Sequence, residues 1–218
     1  MQVKLKMEFN KTFYVNDITA QLDESLLLTR LSYRKTKTEL APAMIEKIKL
    51  VCAMAMELSR PAAAYNFVTL SEGTGNTIFV DNLEINHPLI KVKLSGGIAI
   101  VLLAVTLGNN IDDEISALFA KGEYTKAVVL DAAASCIADK TMELLKIQIN
   151  ISIDKEGIEL GKFRISPGQL DIPLTMQKAF YDKLSLENLG IKITENLMLT
   201  PQKSVISLSG VFNDNLSC

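Results

Sequence analysis

The sequence predicts an α+β fold, and three observations point there. An unbroken apolar run from Ile98 to Leu107 reads as a buried strand, and an alanine-rich stretch from Thr125 to about Lys146 reads as a long helix. Strand-like and helix-like segments also follow one another without the strict alternation that a doubly wound parallel sheet requires.

Along the chain, Met1–Phe9 alternates apolar and charged residues and reads as a first strand, without the continuous apolar stretch of a signal peptide. A basic stretch, Tyr33–Lys37, follows. Pro42 suits the first turn of a helix, where its missing N–H has no partner to lose, and Met44, Ile45, Ile48, Val51, Cys52 and Ala55 give that helix one apolar face. Pro61 ends it at or before Arg60. Residues 65–94 read as short strands around a turn at Glu72–Asn76.

The Ile98–Leu107 run has ten residues, about half of the ~20 that span a bilayer as a helix, so no membrane partner is expected. Gly108–Asp113 suits a helix start, with Ile115, Leu118 and Phe119 on its buried side. Ile147–Ile153 alternates as a half-buried strand, a turn follows at Asp154–Gly157, and Gly161–Pro173 reads as a loop before a helix through Gln177, Phe180 and Leu184. Ile191–Glu195 and Ser204–Leu208 read as paired strands joined through Pro201. With no repeat or linker to divide it, the chain is expected to be one domain over residues 1–218.

Composition narrows the function classes. Hydrophobic residues make up 48% and the net charge is -2, so a core is available but no basic excess for a nucleic-acid partner. Cys52, Cys136 and Cys218 are scattered with no CxxC pair, which predicts neither a zinc site nor a disulfide framework and fits a cytoplasmic setting. The single histidine, His87, lies beside a turn, and no Ser-His-Asp or Cys-His set can be built around it. Glu72–Asn76 and Ser95–Gly97 complete no phosphate-binding glycine motif and read as hairpin turns. Asp112, Asp113 and Glu114 sit where negative charge favours a helix start, so a capping role is expected of them. No metal site and no self-contained catalytic constellation are predicted.

One loop carries more chemistry. In Lys162–Gln177, Arg164 is followed by Ser166, Pro167, Gly168 and Gln169. Arginine offers a fork suited to a carboxylate, proline fixes φ, and glycine lets backbone approach a ligand closely. The same residues also fit a structural loop in which Arg164 forms an ordinary salt bridge, and both readings stay open on chemistry alone.

The segment resembles the RxSPGYGDxPLxxQ signature of the activation domain of cobalamin-dependent methionine synthase, here written Arg164-Ile-Ser166-Pro167-Gly168-Gln169-Leu170-Asp171-Ile-Pro173-Leu174-Thr-Met-Gln177. Gly190–Val205 is similar to the family's IGVxLTESxxMxPxKSV, and Val105–Gly108 with Asp112 and Leu130–Ala132 match its TLG…D and LDA stretches. The resemblance covers about residues 30–210.

It implies a C-shaped domain around a twisted antiparallel sheet with flanking helices, binding S-adenosylmethionine. It also implies docking over a corrinoid whose cobalt has become cob(II), where an electron from flavodoxin or an equivalent donor and a methyl from S-adenosylmethionine restore methylcobalamin. By this resemblance Arg164 holds the ligand carboxylate, Ser166 and its neighbours, including Gln169, contact the ligand, and Pro167 and Gly168 shape the loop. Asp139, Glu143 and Glu195 are candidates for the acidic part of the site.

Gln169 stands where the family has tyrosine, and Leu170 where it has glycine. The corrinoid motif DxHxxG is missing, so cobalamin is expected only on a partner chain. The leading expectation is a free-standing reactivation subunit acting on a corrinoid-bearing methionine synthase subunit. The alternative is a docking module for a corrinoid protein that has lost S-adenosylmethionine binding.

Overall fold

The computed structural model describes residues 7–16, 18–33, 40–154, 157–170 and 172–213. Most of the expected strand at Met1–Phe9, the basic stretch beyond Tyr33, Asp171 and Cys218 lie outside them. The first strand observed is β1 (Thr12–Asn16), followed by α1 (Glu24–Arg30) and α2 (Pro42–Leu58). Asp23 caps α1 by accepting from Ser25 and Leu26 N–H, and Pro42 opens α2 as expected. Next come β2 (Ala62–Val68), β3 (Leu70–Glu72), β4 (Thr77–Val80), β5 (Leu83–Asn86) and α3 (Pro88–Leu94).

The Glu72–Asn76 turn joins β3 to β4 as a hairpin. His87 caps α3, its Nδ1 accepting from Ile90 N–H at 3.4 Å. Residues 88–94 are therefore helix rather than strand, and Ser95–Gly97 connects that helix to the next strand rather than closing a hairpin.

β6 (Ala99–Thr106) leads into α4 (Asn109–Ala120) and α5 (Tyr124–Ile153), a helix of 30 residues. The expected strand at Ile147–Ile153 is in fact the end of α5. Its apolar alternation hides a helical stripe: Met142, Leu145, Ile149 and Ile153 are buried together at steps of three and four, while Ile147 and Ile151 are 46% and 70% exposed. No glycine or proline interrupts Tyr124–Ile153, so packing overrides the strand preference of isoleucine.

The remaining elements are β7 (Ile158–Ile165), α6 (Met176–Leu184), a 3₁₀ turn at Leu186–Leu189, β8 (Lys192–Ile193), β9 (Leu199–Thr200) and β10 (Ser204–Asn213). The expected loop from Gly161 is strand as far as Ile165. The expected pairing of 191–195 with 204–208 is also replaced: β8 pairs with β9, and β10 pairs with β6 and β7.

The main sheet runs β1-β2-β6-β10-β7 and is antiparallel throughout. Both of its faces are covered, which is why β6 is buried at every position and apolar from Ala99 to Val105. Val101, Leu103 and Val105 pack with α5, and Ile100, Leu102 and Ala104 pack with α3 and α6. A third cluster joins α1, α2, α4 and the first half of α5. Among the described residues no helix is long and apolar enough to cross a membrane.

Candidate functional site

Arg164 lies near the end of β7, opposite Ser209 of β10. Phe163 and Ile165 belong to the core on the α6 side, and Leu160 packs on the α5 side. Period-two alternation therefore sends Arg164 toward α5. There its Nη2 stands 3.7 Å from Asp139 Oδ1, with a third of the side chain exposed (33%).

Asp139 is also hydrogen-bonded to Arg30 Nη2 of α1. Of the three acidic candidates, Asp139 alone meets Arg164 among the described residues. Glu143 pairs with Lys140 at 2.9 Å, and Glu195 is exposed in the turn between β8 and β9.

The polar row of α5 continues on both sides of Asp139. Lys203 Nζ, just before β10, lies 2.7 Å from Asp131 Oδ1 and donates to Ser135 Oγ at 3.0 Å. Asp112 of α4 accepts from Gln202 N–H, so its carboxylate ties down the 201–203 segment. It does not cap α4, whose N-cap is Gly108 with no side-chain hydrogen bond. Burial pushes the Asp112 carboxyl above its ordinary range. Ser204 Oγ donates to Thr106 Oγ1 at 2.9 Å. The separated TLG…D, LDA and KSV stretches of the sequence thus meet around the 201–204 segment.

Further along α5, Lys146 Nζ donates to Gly161 O at 2.8 Å. Burial first, and then the nearby Arg164 charge, lower the Lys146 pKa.

Ser166–Gln169 forms a tight turn in which Gln169 N–H donates to Ser166 O at 3.1 Å. Pro167 occupies the second position and Gly168, at φ +84°, the third, the arrangement of a type II turn. Gln169 Oε1 folds back to accept from Ser166 N–H at 3.2 Å, and Gly168 N–H donates to Ile172 O at 2.9 Å.

The backbone N–H groups of Ser166, Gly168 and Gln169 are all engaged within the loop. Pro167 is buried, and Gly168 and Gln169 are exposed. Leu170, at φ +46°, holds a left-handed conformation that favours glycine. Gln177 Nε2 donates to Leu197 O, which joins this motif to the Gly190–Val205 segment.

Arg164 and Arg30 both face one carboxylate, Asp139, and Lys146 lies near enough to Arg164 for the two positive charges to act on each other. Three clefts lie along α2 and the 18–33 segment. The widest, about 390 Å³, is lined by Gln21, Leu22, Glu24, Lys49, Cys52 and Met56 among others. None of the three is lined by Arg164–Gln169. Sequence reasoning missed Arg30, because nothing in the pattern around α1 marks an arginine that folding carries to α5.

No protein-family model matches the sequence, and no curated protein matches it either. Among solved structures, the chain is similar to a crystal structure of the MetH reactivation domain bound to AdoHcy. The TM-score is 0.69 at 17% sequence identity, over 95% of this chain and 80% of that one. At that identity the likeness is one of fold, an α+β arrangement of a mainly antiparallel sheet with flanking helices.

Proposed function

We propose that this chain binds S-adenosylmethionine and serves as a reactivation subunit for a separate corrinoid-bearing methionine synthase chain in the cytoplasm, with flavodoxin or an equivalent as electron donor. It would act as one domain over residues 1–218. One observation carries the reading: on a fold similar to that of a domain solved with AdoHcy bound, the Arg164 guanidinium is one-third exposed (33%), has a second cation, Lys146, nearby, and stands 3.7 Å from its carboxylate neighbour Asp139.

Arg164 would take the ligand carboxylate through its fork, the charge-assisted geometry that arginine supplies best. The ligand when bound supplies an electrophilic methyl group on a sulfonium. This chain contributes position, holding the ligand in one orientation by the type II turn of Ser166–Gln169 and the rigid end of β7. No general base is required of it. Cobalamin would be carried by the partner.

The reading is tested by reconstituting reactivation. A cob(II)alamin-loaded corrinoid subunit with reductant and S-adenosylmethionine should recover the methylcobalamin absorption spectrum only when this chain is added. The Arg164→Ala chain should not support recovery. Recovery at equal rate without the chain would refute the role.

A second reading, a docking module without ligand, is favoured by Gln169, whose side chain occupies the Ser166 N–H. It predicts that Arg164→Ala still captures the corrinoid subunit in a pull-down and that the native chain never supports reactivation.

A further inference from the structure

Asp139 faces two arginines unequally. Its Oδ2 is hydrogen-bonded to Arg30 of α1, whereas its Oδ1 lies 3.7 Å from Arg164, beyond hydrogen-bond reach. The pairs join distant parts of the chain: Arg30 and Asp139 are 109 positions apart. Both side chains keep about two-fifths of their surface, 39% and 40%.

With both oxygens turned to arginines of the chain itself, Asp139 acts not as the acidic part of a ligand site but as an internal competitor for Arg164. It is a carboxylate, carried on a rigid helix, and close enough that a rotamer change would close the remaining gap. What holds it back is the bond to Arg30.

We propose that Arg30 is a positioning residue that keeps Asp139 from closing on Arg164, so that Arg164 stays available to the carboxylate of an incoming ligand. The inference rests on the reading of Arg164 given above and adds α1 to the site. Without Arg30, one carboxylate would have one arginine to neutralise, and the ligand would have to displace it. A carboxylate-bearing ligand would feel that competition, and a ligand lacking the carboxylate would not. Without Asp139 the competitor is gone, and Arg30 is no longer needed.

The test uses the full chain with two probes, S-adenosylhomocysteine and 5′-methylthioadenosine, which lacks the amino-acid carboxylate. Arg30→Met should weaken S-adenosylhomocysteine roughly two- to five-fold, the scale of a partly exposed ion pair, and leave 5′-methylthioadenosine unchanged. Asp139→Asn in the same chain should restore the affinity. Asp139→Asn alone, which keeps Arg30, should bind at least as tightly as the native protein. Unchanged affinity in Arg30→Met, an equal loss for both probes, or no restoration by Asp139→Asn overturns the proposal.

A ligand-free readout separates it from the parent reading. The sequence has four arginines, Arg30, Arg34, Arg60 and Arg164, so their side-chain Nε–H resonances are resolvable in a ¹⁵N-arginine-labelled sample. In Arg30→Met the Arg164 resonance should shift as Asp139 closes on it, and an unmoved resonance overturns the guarding role. A shift accompanied by no S-adenosylhomocysteine binding in the native chain supports the guarding role and overturns the ligand reading.

Discussion

Gln169 and Leu170 sit side by side and depart from the activation-domain pattern in different physical ways. Gln169 replaces an aromatic ring with an amide that closes on its own turn, satisfying Ser166 N–H at 3.2 Å. Leu170 holds φ at +46° and is 43% exposed as a residue, so it has the backbone cost of a left-handed residue with little burial to offset it. Leu170→Gly is expected to raise stability by about 1 kcal/mol, measured as a higher midpoint in urea unfolding at unchanged slope. A lower midpoint would show that the leucine packs more than its exposure indicates. The motif residues were legible in the sequence because proline, glycine and arginine have fixed conformational or charge roles. The fold-back of Gln169 was not, since a glutamine points wherever its turn and neighbours allow. Arg30 was invisible for a different reason: its partner is brought to it only by the packing of α1 on α5.

At the scale of elements, α5 is where sequence pattern and structure part. Ile147-Gln-Ile-Asn-Ile-Ser-Ile153 has the period of a strand, yet a helix also buries every fourth residue of the same stretch, and Ile149 and Ile153 fall on its core side. The two arrangements predict different costs. In a strand, Ile149 and Ile151 would share a face and lose similar stability on truncation. In α5, Ile149→Ala should cost about 2–5 kcal/mol while Ile151→Ala, at 70% exposure, should cost under about 0.5 kcal/mol. Chemical denaturation of the pair decides it, and equal losses would contradict the helix. The β6 strand was read correctly because an apolar run covered on both faces leaves no alternation to misread. The end of β7 was read as loop because Gly161 and the nearby prolines dominate its composition. Gly161 is needed instead for close packing, since a Cβ there would stand 2.6 Å from the Phe212 ring.

Across the whole molecule, the α+β class was legible in the sequence, while the strand order was not. Pairing β10 between β6 and β7 depends on contacts between residues 98 to 112 positions apart on the β6 side and 43 to 55 apart on the β7 side, which local pattern does not encode. Asp112 is one of the residues that fixes this arrangement, through Gln202 N–H, and it does so at an electrostatic cost. Its folded pKa is raised by burial, so the folded state binds its proton more tightly than the unfolded chain does. Its contribution to stability is thus present below the ordinary aspartate pKa of about 3.9 and is lost as pH rises through the raised folded value. Asp112→Asn keeps an oxygen to accept from Gln202 and removes the charge. It should raise the melting temperature at pH 7, with a gain that shrinks toward zero near pH 4. A lower melting temperature at pH 7 would mean that the Lys203 attraction outweighs burial.

Ligand binding is tested most directly by isothermal titration of the full chain with S-adenosylhomocysteine. The native chain should bind one-to-one, and Arg164→Ala should lose roughly ten- to hundred-fold in affinity, the range of a hydrogen-bonded charge pair. No heat of binding at millimolar ligand, or equal affinity in the two proteins, would contradict it.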